Sequence, residues 1–113
     1  MEERHRIARD LLRELAPQVK SENHLVIQLV RILGASREEN LLPLLGSLVG
    51  HPARFIREEA ITQLGRILSA KAAPFLLQAM KDEDPTLREG ARKALERLDT
   101  YLQVKRRWEE RAK

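Results

Sequence analysis

The sequence predicts an all-α protein, a stack of about three helical hairpins built from six helices. Three observations predict it. Apolar residues recur at three- and four-residue spacing along nearly the whole chain, and no stretch of clean apolar–polar alternation competes with them. Two separate segments repeat at one common offset. The composition joins 42% hydrophobic with 34% charged and only 4% aromatic residues. That is more charge than the ~25% of ordinary globular domains, and it suits helices with one apolar stripe and charged outer faces.

The first helix, predicted over 2–16, carries Ile7, Leu11, Leu12 and Leu15 and ends at Pro17, which lacks the N–H a helix interior needs. Ser21 is placed to cap a second helix bearing Leu25, Val26, Leu29, Ile32 and Leu33, with Gly34 as its stop. A third runs from about Asn40 to Val49, closed by Gly50 and Pro52. The fourth carries Ile56, Ala60, Ile61, Leu64, Ile67 and Leu68, and the fifth spans about Ala72 to Lys81. Asp84 as cap and Pro85 as first residue open the sixth. With no linker or low-complexity stretch, residues 1–113 read as one domain, a cap helix followed by units at about 21–50, 53–81 and 84–112.

The repetition is explicit. IREEAITQLGRI from Ile56 lies over LREGARKALERL from Leu87, and LLPLLGSLV from Leu41 over AAPFLLQAM from Ala72, both 31 residues apart, with Pro43 over Pro74. A weaker echo sets ENHLVIQLVRIL from Glu22 against REEAITQLGRIL from Arg57 at 35, which assigns four extra residues to the loop around Ala35 to Glu39. Each unit is then a helical hairpin that needs neighbours to cover its apolar face.

AKAAPFLLQAMKDED followed by DPTLREGARKALERL resembles the short HEAT-like repeats of phycobilisome lyases, over roughly Glu22 to Leu98. The resemblance implies a right-handed α-α superhelix, with the first helix of each unit outside and the Pro-bearing second helix on the inner, concave layer. It also implies a structural ladder in which Arg57 and Arg88 pair with acids of an adjacent unit, Asp82 or Asp84 serving one of them. His51-Pro52 departs from the Asp84-Pro85 form at the equivalent turn.

No catalytic constellation emerges. His5, His24 and His51 have neither i, i+4 spacing nor a neighbouring Glu, and with no cysteine the chain offers no thiolate or disulfide, so no metal or cofactor is expected and the histidines read as surface residues. GSLVG lacks nucleophile-elbow spacing, the five glycines are scattered, and Glu58 and Glu59 face different directions on a helix. These absences predict a protein without an active site of its own.

What remains is surface for a partner. The inner helices are apolar nearly all round, so their concave side is left uncovered unless the first or last helix folds across it. Leu44 and Phe75, each following the repeated Pro, are expected to be exposed there and, with Gln78, to form the centre of a protein-binding surface. The last helix is expected to continue past Leu98 through Tyr101, Val104 and Trp108, as a cap or as a docking or dimerisation element, with Trp108 a further contact. The chain is accordingly read as a monomer or as a homodimer through this helix. Nucleic acid is the alternative partner. Of the net charge of +4, three charges sit in the last nine residues, a tail rather than a basic stripe along one face. A third reading is an accessory subunit of a lyase-type enzyme. The N-terminus lacks the apolar core of a secretory signal and the longest apolar run, Leu41 to Val49, is too short to span a bilayer, which points to a cytoplasmic protein with no membrane partner.

Overall fold

Helices follow the predicted order. The computed structural model describes the backbone of residues 2–112 and the side chains of residues 5–112, and among these it contains six α-helices and no strand. They are α1 (Glu2–Leu15), α2 (His24–Ala35), α3 (Leu42–Ser47), α4 (Arg54–Arg66), α5 (Ala73–Ala79) and α6 (Pro85–Ala112), with short 3-10 turns before or after the inner ones. Outer helices pack in succession, α2 on α4 and α4 on α6, while α3 and α5 pack beneath them and α1 packs on α2. One apolar core runs through the stack from Ala8 and Leu12 to Ala91 and Ala94. The 28 residues of α6 span ~42 Å at 1.5 Å per residue, which sets the 49 Å long dimension.

Local sequence explains most boundaries, with three departures from expectation. The cap of α2 is Asn23, not Ser21. Its side chain accepts the Val26 N–H at 3.1 Å, so the helix begins at His24. Gly34 does not stop α2, which runs to Ala35 before Arg37 turns with φ of 55°. The third departure is the register. The 3-10 turns that open the inner segments begin at Glu39 and Ala70, and the inner helices at Leu42 and Ala73, so the offset is 31 here too. Both outer-to-inner loops are three residues long, 36–38 and 67–69, and there is no four-residue insertion. The echo at 35 is a slip of about one helical turn, which leaves an apolar stripe on nearly the same face. Packing decides between the two. A Cβ on Gly34 would lie 2.3 Å from Gln63 Oε1, and one on Gly65 would lie 3.0 Å from the Ala94 Cβ. Both pairs obey the 31-residue register, each glycine receiving a side chain of the next outer helix.

Polar bonds, some part-buried and some exposed, tie consecutive units. Arg57, 11% exposed, donates from Nε to Asp82 Oδ2 at 2.9 Å and from Nη2 to Oδ1 at 3.4 Å, and Asp82 is only 4% exposed. Arg57 Nη1 also donates to the carbonyls of His51 and Pro52. Arg88, one register later, donates to the Asp82 carbonyl at 2.7 Å and, among the described residues, pairs with no carboxylate. Asp84 is held by Arg54 and caps α6 by accepting the Thr86 N–H at 2.8 Å. The first junction adds Arg31 to Glu59 at 2.6 Å, with Gln63 Nε2 on the other Glu59 oxygen at 2.8 Å.

Two expectations follow. Arg57→Ala leaves a buried carboxylate without its cation and is expected to cost about 3 kcal/mol. Arg88→Ala removes one exposed bond to a carbonyl and is expected to cost about 1 kcal/mol or less. Urea unfolding midpoints of the two variants check the order. The second concerns acid. The hydrogen bond from Arg54, and those from the backbone of Thr86 and Leu87, hold the Asp84 carboxyl below its ordinary value of 3.8. A carboxyl whose folded value is depressed contributes stability above its unfolded value and loses it as pH falls through the folded one. Stability should therefore fall as pH drops below about 3.8. Asp84→Asn keeps a capping side chain, and it should flatten that part of the acid limb in a pH series of thermal melts.

Candidate functional site: an inner groove between hairpins

Along the inner layer lies an open groove of about 710 Å³. Leu12, Arg13 and Ala16 from the end of α1 form one wall, Leu44, Gly46 and Ser47 of α3 the floor, His51 and Pro52 one end, and Phe75 and Gln78 of α5 the other wall. It exists because the inner helices are short. Pro43 and Pro74 sit in the first turn of α3 and α5, where a missing N–H costs nothing, and 3-10 turns stand before both helices and after α3.

Leu44 and Phe75 are half-buried and pack against the core, rather than standing free as expected. The cause is Gly46. A Cβ there would sit 2.2 Å from the Phe75 ring, so the missing side chain makes the bed on which the ring lies. The inner helices also bury more than a uniformly apolar surface suggests. Leu41, Leu42, Leu45, Leu48, Val49, Leu76 and Ala79 are core, whereas Leu77 is exposed. Neither terminal helix folds across the groove. α1 contributes a wall and α6 packs on α4 and α5.

His51 corrects the reading of all three histidines as surface residues. It is buried, its Nε2 lies 2.9 Å from the Ala16 carbonyl, and its Nδ1 accepts the Ala53 N–H at 3.0 Å. A carbonyl only accepts and an amide only donates, so the ring carries its proton on Nε2. The register explains the residue. His51 stands where the next unit has Asp82, whose Oδ1 accepts the Asp84 N–H at 2.8 Å in the same way. The counterpart of Arg57 one unit earlier is Val26, so an acid at position 51 would find no arginine. The imidazole keeps the turn bond and reaches α1 instead. His5 lies 3.6 Å from Glu38, and His24 is exposed.

Trp108 does not belong to this groove. α6 continues unbroken past it, but has no fully buried residue after Leu98, and Trp108 is 66% exposed with the Arg111 guanidinium 5.9 Å from its ring. The stripe Tyr101, Val104 and Trp108 therefore caps nothing, and the capping is done by the first half of α6. The larger groove, about 750 Å³, lies between α4 and α6 and is rimmed by Glu58, Lys93, Glu96 and Arg97, mixed charges of an outer surface.

Chemically the inner groove offers apolar contact with a few polar ends. The Ser47 hydroxyl already donates to the Leu44 carbonyl at 2.6 Å, and His51 is engaged on both nitrogens. Arg13 and Gln78 are the exposed polar groups at its edges. Among the described residues no three His, Asp or Glu side chains gather as metal ligands, and no helix is long and apolar enough to cross a membrane. The Gly46 bed and the α1 wall were not singled out from sequence, and His51 was marked only as a departure at its turn. A glycine inside an otherwise apolar inner helix, and a His replacing the repeat's Asp, are the signals that mark them.

Hairpins of this length stacked at a 31-residue register are the architecture of HEAT repeats. The model of the HEAT-repeat family matches residues 10–96, and the chain belongs to that family. No curated protein and no solved structure matches it.

Gly46→Ala tests the groove's floor. Helix propensity alone favours alanine by ~1 kcal/mol. Displacing the Phe75 ring should outweigh this, since overpacking costs about 1–3 kcal/mol, and the variant is expected to unfold at lower urea than the parent. In a Phe75→Ala background the same change should be neutral or stabilising, a reversal that a double-mutant cycle reads directly.

Proposed function

We infer that the chain is a non-catalytic protein-interaction module whose inner groove holds an apolar segment of a partner protein. The observation that carries this reading is the convergence of Leu44, Phe75 and Gln78, from two successive hairpins, with Leu12 and Ala16 of α1 around one open groove. Membership of the HEAT-repeat family supports an interaction scaffold in general. A ring lying on a glycine beside a leucine, surrounded by prolines, is the kind of preformed apolar site in which a few residues carry most of a binding energy. The basic end of α6 supports the alternative of nucleic acid, because Lys105, Arg106, Arg107 and Arg111 are exposed there.

Capture from a native-type lysate separates these readings. Immobilised parent chain is compared with Ser47→Arg/Gln78→Arg, two exposed groove positions whose change spares the core. The expected result is one or more proteins retained by the parent through high salt and lost, by tenfold or more, on the double variant. Equal retention by both would remove the groove. Retention of duplex that falls steeply as salt rises would favour nucleic acid instead.

A further inference from the structure

The two ends of the stack are built differently. Toward the C-terminal end, α6 turns Glu89, Arg92, Lys93 and Glu96 outward, and Arg92 pairs with both Glu89 and Glu96. In the register these stand where α4 has Glu58, Ile61, Thr62 and Gly65, the face that receives α6. Glu96 replaces the glycine on which the next helix would rest, so the stack ends there with a polar face, as terminal solenoid repeats need.

Toward the N-terminal end the opposite holds. Leu25 is 54% exposed, while its register counterparts Ile56 and Leu87 are 0% and 2%. Ile32 is 51% exposed, and its counterparts Gln63 and Ala94 are 1% each. These are the positions by which α4 rests on α2 and α6 on α4, Gln63 over Gly34 and Ala94 over Gly65. The face of α2 made by Leu25, Gln28 and Ile32 is thus an outer-helix contact surface without its neighbour. α1 packs on α2 but leaves Leu25 and Ile32 exposed, so among the described residues this face stays uncovered. α1 itself leaves Ile7 and Leu11 exposed.

We propose that this face pairs two copies of the chain, N-terminal end to N-terminal end, about a two-fold axis. Twice within the chain the same register face is covered by an outer helix, and a second copy brings such a helix with an exposed apolar face of its own. Head-to-tail stacking is closed, because it would bury Arg92 and Glu96 against Leu25 and Ile32. A contact that uses one end only is isologous and stops at two copies. Such a contact sets each face against itself, and Leu25, Gln28 and Ile32 carry no charge to repel their own copy. The inference uses a surface separate from the inner groove and stands or falls independently of it.

Sedimentation equilibrium or light scattering of the purified chain over a concentration series is the direct test. The expected parent mass is twice the 13.1 kDa chain at high concentration. Leu25→Glu/Ile32→Glu should give a monomer with the parent's helicity and cooperative melt, and Leu25→Ser/Ile32→Ser guards against a purely electrostatic effect. Because the chain has no cysteine, Gln28→Cys and Lys93→Cys each introduce a single thiol. Oxidation should cross-link the first into dimers and leave the second monomeric. A parent that stays monomeric throughout overturns the proposal. So do variants that still dimerise, which would move the contact to the exposed end of α6, and Ser variants that unfold, which would make the two residues core.

Discussion

The close approach of consecutive outer helices is the constraint on which the rest of the structure depends. Gln63 lies over Gly34 and Ala94 meets Gly65, and at both crossings a glycine admits a side chain of the next unit. That contact fixes the 31-residue register, and the register then sets several longer-range bonds. It brings Glu59 to Arg31, Asp82 to Arg57 and Asp84 to Arg54. An alanine at Gly34 would gain helix propensity and lose the crossing. The crossing wins because Gln63 is 1% exposed and its Nε2 is bound to Glu59, so the amide cannot move aside without giving up that bond or its packing.

The same contact shows how much of the fold was legible in the sequence. The six helices, their order and the 31-residue period follow from apolar spacing and from the Asp84-Pro85 and Pro43/Pro74 signals. The first repeat was misaligned by four residues, because four residues are about one turn and periodicity alone cannot resolve them. Glycine adds to the ambiguity. At Gly34 it reads as a helix stop, since terminal glycine is common, and only the neighbouring helix shows that it is there for Gln63. Asn23 and Ser21 are both acceptable caps, and geometry chose the one whose oxygen reaches the Val26 N–H.

The candidate groove was legible in three of its lining residues and not in their degree of exposure. Leu44, Phe75 and Gln78 do line one groove, because two helices in the same register present equivalent positions side by side. Their half-burial was not readable, since it depends on Gly46 meeting Phe75 across two units and on α1 arriving at the groove's edge. Trp108 shows the opposite failure. Tyr101, Val104 and Trp108 keep perfect helical spacing, yet the stack ends before them, and a stripe predicts a helix face without telling whether anything lies against it.

His51 connects the register to the groove. The turn at 51–53 forms the groove's end and is held from three sides: Arg57 Nη1 on the His51 carbonyl, the Ala53 N–H on Nδ1, and the Ala16 carbonyl on Nε2. Arg57 in turn is fixed by Asp82 of the following turn. A continuous chain of part-buried and buried bonds therefore runs from the last turn of the second hairpin, through Arg57 and His51, to the end of α1 on the far wall. The groove spans three structural units, and these bonds tie its end at 51–53 to the α1 wall. Were the groove to hold a partner as proposed, an end fixed in this way would lose little conformational entropy on binding, the physical advantage of anchoring it to both α1 and the following turn.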